Sequence, residues 1–116
     1  MIEAFLNEIK NSPVEKLGII MHNTTGAFAA KIVGVGTEKR CTVKFSAIAE
    51  AIAENRASMI TLVHNHPAGE VRPSREDLEL TYSLQDKLKA AGVKINDHVI
   101  LGRNGGVFSF ADNGAL

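Results

Sequence analysis

The sequence predicts a single α/β domain of three layers, with helices on both faces of a mixed β-sheet. Helix-like and strand-like patterns alternate along the 116 residues, which is the signature of strands covered by helices. Two pairs of strand-like runs are separated only by turn-forming stretches, "NTTG" and "RNGG", so the sheet holds antiparallel hairpins and is not purely parallel. A chain of 116 residues buries roughly two-thirds of its unfolded surface, enough for one core and too little for two.

The opening "IEAFLNEIKNS" carries Ile2, Phe5, Leu6 and Ile9 at helical spacing and is ended by Asn11, Ser12 and Pro13, predicting a short amphipathic helix. "EKLGIIMHN" is a compact apolar run that reads as a strand, and "AFAAKIVGV" completes a hairpin with it. "GTEKR" suits a loop, and "TVKF" is expected to be a short strand or a bridging segment. The alanine-rich residues 46–56, with Ile48 and Ile52 four apart, read as a helix. "SMITLV" follows as a buried strand that delivers His64 at its end. Residues 74–91 place Leu78, Leu80, Leu84 and Leu88 in helical register and stop at Gly92. "KINDHVILG" and "GVFSF" then close the sheet as a second hairpin. Without repeats, low-complexity tracts or linkers, residues 1–116 form one domain.

Hydrophobic residues make up 45% of the chain and charged ones 22%, an ordinary globular composition. Thirteen basic side chains balance thirteen acidic ones, so no overall positive field exists to hold a phosphate backbone, and a nucleic-acid partner finds little support. The lone Cys41 excludes an internal disulfide, and the N-terminus lacks the basic-then-apolar shape of a secretory signal. No apolar run approaches the roughly 20 residues needed to cross a bilayer. The expected address is cytoplasmic, away from membranes.

The chemistry concentrates in "HNHPAGEVRPSRED", which holds two of the four histidines, a serine and an aspartate. Along an extended segment alternate residues share a face, so His64 and His66 present both imidazoles to one side while Asn65 faces the other. Pro67 and Gly69 turn the chain, and Asp77 in the first turn of the next helix can return a carboxylate to the same point. Two histidines and a carboxylate leave a fourth tetrahedral position for water, as catalytic zinc sites do. A hydrolytic site also needs a proton acceptor and an oxyanion donor, and Ser74 is placed to be the donor. The same "SRED" is a good helix start, with Ser74 as N-cap and Asp77 reciprocating as in a capping box. Capping and metal binding are compatible, because a side chain fixed at a helix N-terminus is already oriented.

Other candidates carry less. His98, between apolar residues in "NDHVIL", reads as a hydrogen-bonded histidine near the core, and His22 as a solvent-touching residue at a strand end. Cys41 follows Lys39 and Arg40, which could lower its pKa, but no nucleophile signature surrounds it. "GVGTEK" has neither a third glycine nor a P-loop lysine pattern and reads as a loop. Zinc nucleoside deaminases need H-x-E and P-C-x-x-C, which a single cysteine excludes.

The pattern H-x-H, seven residues, then S-x-x-D, present as His64, His66, Ser74 and Asp77, resembles the signature of the JAMM (MPN+) metalloprotease-like domains. "LVHNHPAGEVRPSRED" together with "DHVILG" resembles the RadC branch of that group. The resemblance implies a three-layer α/β/α JAB/MPN-type fold, similar in architecture to the cytidine deaminases. It implies Zn2+ held by His64, His66 and Asp77, with Ser74 assisting at the oxyanion. The family's general base is a glutamate at the first strand, and the matching residue is Glu15 in "VEKLGIIMHN"; Glu38 and Glu70 are rivals of weaker fit. RadC proteins usually carry an N-terminal helix-hairpin-helix segment associated with DNA, whereas this chain starts almost directly at the catalytic-type domain. The DNA-repair association of the family therefore carries over poorly.

The expected activity is a zinc metallopeptidase or isopeptidase acting on a protein or peptide substrate. The alternative is a non-catalytic MPN-type or DNA-repair-associated accessory module with a zinc-binding site. The substrate and oligomeric state, including a homodimer through edge strands, stay open at the level of sequence.

Overall fold

The computed structural model describes residues 2–116. The elements run α1 (Ile2–Lys10), β1 (Lys16–His22), β2 (Phe28–Val35), α2 (Phe45–Asn55), β3 (Met59–His66), α3 (Arg75–Ala90), β4 (Lys94–Gly102) and β5 (Val107–Ser109). The five strands form one sheet in the order β2-β1-β3-β4-β5. β3 and β4 are parallel, and the β1–β2, β1–β3 and β4–β5 pairs are antiparallel. The mixed sheet matches the expectation, with both hairpins in place.

Strand alternation builds the layers. Leu17, Ile19 and Met21 of β1 lie beside His64, Leu62 and Ile60 of β3, and this face carries the main core, closed by Ile48, Ala51 and Ile52 of α2 and by Leu84 and Leu88 of α3. The opposite face belongs to α1, whose Ile9 is fully buried. Gly18 lets that helix approach: a Cβ there would lie 2.5 Å from Phe5 Cζ and 2.7 Å from Ile9 Cδ1. Any side chain at residue 18 would force the Phe5 and Ile9 side chains to shift.

Two details refine the sequence reading. Of the two forms expected for "TVKF", the bridging segment is found and the strand is not: residues 41–44 are irregular and Phe45 already begins α2. Its β-branched Thr42 and Val43 favour extended backbone, but Val43 spends its apolar side chain against the core, lying over Gly34 of β2. β3 runs on past His64 to His66, because its parallel partner β4 extends far enough to pair Asn65 with Leu101 and His66 with Gly102. Both histidines therefore sit on regular strand, which fixes their common direction.

Candidate metal centre

Because β1 and β3 are antiparallel, the start of β1 and the end of β3 lie at the same edge of the sheet, and α3 begins there after the turn that follows His66. Gly69, at φ +122, makes that turn, and its N–H donates to His66 O at 3.1 Å. All five residues singled out in the sequence converge at this edge. Glu15, His64 and Asp77 are buried, at 8%, 4% and 6% exposure. Glu15, His64, Ser74 and Asp77 line a cavity of about 80 Å3, room for a few water molecules. Glu15, His66 and Ser74 also line the shallower groove beside it.

Glu15 Oε1 lies 2.8 Å from His64 Nε2, and Asp77 Oδ1 lies 3.2 Å from His64 Nδ1 on the other side of the ring. The Asp77 contact is close but poorly aligned, so Nδ1 has no well-directed hydrogen-bond partner. Asp77 Oδ2 meets His66 Nε2 at 2.9 Å. His66 Nδ1 sits 2.7 Å from Glu70 O, and since a carbonyl only accepts, Nδ1 carries the proton. Without metal, Nε2 carries a proton of its own toward Asp77 Oδ2, and on losing it would offer that lone pair to a metal ion. The capping box is present as well: Asp77 N–H donates to Ser74 Oγ at 3.0 Å and Ser74 N–H donates to Asp77 Oδ2 at 2.9 Å. Asp77 thus caps α3 and faces both histidines with one carboxylate, and the Ser74 hydroxyl, used there as an acceptor, keeps its hydrogen for another partner.

Burial alone would strip protons from the histidines, but the carboxylates reverse it. Burial lowers the His64 pKa, yet the Asp77 and Glu15 carboxylates outweigh it and raise it to about 9. His66 is raised by Asp77 and by the Glu70 carbonyl against the same burial. Asp77, which burial would raise, is held far below the ordinary carboxylate range by His64 and His66. Without metal, the cluster holds protons where two buried carboxylates demand positive charge. A divalent cation meets that demand with ligands suited to zinc: imidazole nitrogens and carboxylate oxygens. Glu15, His64 and His66 each bring a donor atom within 4.8 Å of the others, so these three fit a metal ion; Asp77, the third ligand the resemblance implies, is not part of that group, and Glu15 stands in its place.

Around the cluster, His98 is the hydrogen-bonded core histidine the sequence reading expected, whereas its Thr81 partner and the bonds of Asn65 were not foreseen. Cys41 lies in the cavity wall, and burial, the Glu15 charge and the Asp77 charge push its thiol up to about 11, against a lowering backbone hydrogen bond. Lys39 and Arg40 do not activate it; burial is the largest cause and the carboxylates add to it. His98 is fully buried, stacked on Phe110 at 4.4 Å between ring centroids, with Nδ1 2.6 Å from Thr81 Oγ1. Thr81 Oγ1 also lies 2.8 Å from Asp77 O. A hydroxyl has one hydrogen, so Thr81 donates to Asp77 O and accepts from His98 Nδ1–H, which ties α3 to β4 directly beneath the site. Asn65, 1% exposed, sends its amide away from the histidines to the segment before β1. Glu38 is exposed and the Glu70 side chain is 82% exposed, so neither joins the cluster.

The family profile described as RadC-like JAB domain matches residues 1–115. The chain belongs to this family. Among curated relatives, a UPF0758 protein of Porphyromonas gingivalis (strain ATCC BAA-308 / W83) is 34% identical over 116 residues, 99% of this chain and 50% of the relative. UPF0758 protein YeeS of Escherichia coli (strain K12) is 34% identical over 98 residues, 84% of this chain and 66% of that protein. A third, UPF0758 protein TTE0897 of Caldanaerobacter subterraneus, is 33% identical over 108 residues, 92% of this chain and 46% of its own length. The RadC-like chain spans about half the length of most of these relatives. Among the described residues, no helix is long and apolar enough to cross a membrane.

Proposed function

We propose that this RadC-like JAB domain is a zinc-dependent hydrolase of the JAMM type that cleaves an amide or isopeptide bond in a protein or peptide substrate. The observation that carries this reading is the 2.8 Å approach of Glu15, from 49 residues upstream, to His64 inside a cluster with His66, Asp77 and Ser74. His64, His66 and Asp77 would hold the metal, which when bound supplies Lewis acidity toward a carbonyl oxygen and acidifies water. Glu15, an acceptor when ionised, takes the proton of the attacking water at its carboxylate and returns it to the leaving amine. Ser74 donates its free hydroxyl hydrogen to the oxyanion while its oxygen still caps α3. The small, partly open cavity has room for a carbonyl and a water. Charges of both signs, Lys39, Arg40 and Glu76 in the cavity and Arg72 and Glu70 in the groove, line the approach, which suits a polypeptide better than a phosphate backbone.

Two measurements test it. Protein purified without added zinc is expected to retain metal; less than about half an equivalent, unchanged by His64→Ala, sinks the metal site. A screen of ubiquitin-like and peptide-linked substrates is expected to give metal-dependent cleavage by the parent and none by Glu15→Gln. Equal cleavage by both would remove Glu15 as the base.

A further inference from the structure

The middle residue of His64-Asn65-His66 makes all its side-chain bonds to the segment that carries Glu15. Lys16 N–H donates to Asn65 Oδ1 at 2.7 Å, and Asn65 Nδ2 donates to Val14 O at 3.1 Å and to Ser12 O at 3.4 Å. The backbone pairing of β1 with β3 stops at Leu17 and His64. Beyond it the amide takes the place of the next rung, meeting the C=O before Glu15 and the N–H after it. On the other edge, Glu15 N–H donates to Thr37 O at 2.6 Å and Glu15 C=O accepts from Gly36 N–H at 2.8 Å. Both edges of the Glu15 backbone are therefore held, and only its own side-chain rotamers are left to set before Oε1 meets His64. The clamp needs a donor and an acceptor on one short side chain. Aspartate lacks the donor, an aliphatic residue lacks both, and glutamine adds a methylene that no longer fits the spacing.

We infer that Asn65 is the positioning residue for Glu15, fixing the backbone on either side of it from the face of β3 opposite the histidines. One strand then sets the two halves of the site: its even residues aim at the metal, and its odd one aligns the base. The inference rests on the proposed role of Glu15 as base, and misplacing such a group by about 1 Å can cost about a hundredfold in rate.

The test is nitrogen-15 histidine NMR on the metal-free protein, with zinc stoichiometry and cleavage of a fluorogenic peptide measured on the same samples. The parent should show a slowly exchanging His64 Nε2–H that vanishes in Glu15→Ala. In Asn65→Ala that proton should exchange at least about tenfold faster, while the His98 Nδ1–H bonded to Thr81 and the zinc stoichiometry stay unchanged, and kcat should fall about tenfold or more with KM little altered. Asn65→Asp, which keeps the acceptor for Lys16 N–H, serves if the alanine variant does not fold, and should fall between parent and alanine. A His64 Nε2–H as protected in these variants as in the parent overturns the inference, as does equal loosening of His98 Nδ1–H, which would mark general loosening. If Asn65→Ala frees the His64 proton but Glu15→Gln cleaves as the parent does, the clamp stands and the catalytic reading of Glu15 fails.

Discussion

His64 and His98 lie on one face of neighbouring strands, their ring centroids 6.1 Å apart, both almost wholly buried, yet they are driven in opposite directions. Burial pulls both pKa values down from 6.5. At His64 the Asp77 and Glu15 carboxylates overturn it and bring the value to about 9. At His98 burial stands, helped by the positive charge of His64, and the value falls to about 3. The aspartates near His98 do not rescue it: Asp97 spends its carboxylate on the backbone N–H groups of His98 and Ala111 and on the Ser109 hydroxyl. The lesson is that depth does not decide what a buried histidine does. A carboxylate on a ring nitrogen makes a cation site, and a hydroxyl with an aromatic ring makes a rigid neutral prop.

The comparison breaks most visibly at its charged half. Glu15→Gln should lower hydrolysis by about 10²–10⁴-fold while zinc content and melting temperature stay near those of the parent, as read by steady-state kinetics and metal analysis. His66→Ala should weaken zinc binding by about a hundredfold or more, seen by competition with a chelator, and should erase the stabilisation that zinc gives the parent in thermal melts. At the neutral half, Thr81→Val keeps the shape but strands the His98 Nδ1–H and the Asp77 carbonyl, and should cost about 1–3 kcal/mol in denaturant unfolding. Ser74→Ala should cost about 1 kcal/mol through the lost cap.

The pH dependence of the metal-free protein sharpens the contrast. His98 titrates lower in the fold than in the unfolded chain, so its stabilisation is complete above pH 6.5 and is lost as pH falls toward about 3. His64 titrates higher in the fold, so its contribution is complete below pH 6.5 and is lost as pH rises through about 9. Urea unfolding across pH should show both slopes. Zinc should remove the alkaline one by replacing the proton on His64, and His98→Gln should flatten the acid one between pH 6.5 and the ordinary carboxylate range. A zinc-loaded protein that keeps its alkaline slope would place the cation elsewhere.

How far the sequence foretold this site follows from how local each part is. His64, His66, Ser74 and Asp77 fall within one strand, one turn and one helix start, so pleat and capping rules alone bring them together. Glu15 reaches them through strand pairing across 49 residues, which periodicity cannot foresee; only the family resemblance pointed to it. The Asn65 clamp and the Thr81–His98 bond depend on which backbone groups face an amide or a hydroxyl after the layers pack, and single-residue propensities hold no record of that. "TVKF" stayed open between strand and bridging segment because β-branched residues favour extended backbone whether or not a strand neighbour is available to pair with them.

The antiparallel join of β1 to β3 also makes the base the entropically costlier contact. His66 and Asp77 meet across 11 residues, whereas Glu15 and His64 meet across 49, and closing the longer loop costs about 1.3 kcal/mol more in chain entropy. On the proposed reading, a folding chain can grip a metal with its β3–α3 segment before β1 has docked. A chain with β1 undocked would hold the ligands without the base, and hydrolysis on that reading needs the whole sheet, because Glu15 reaches His64 only where β1 joins β3.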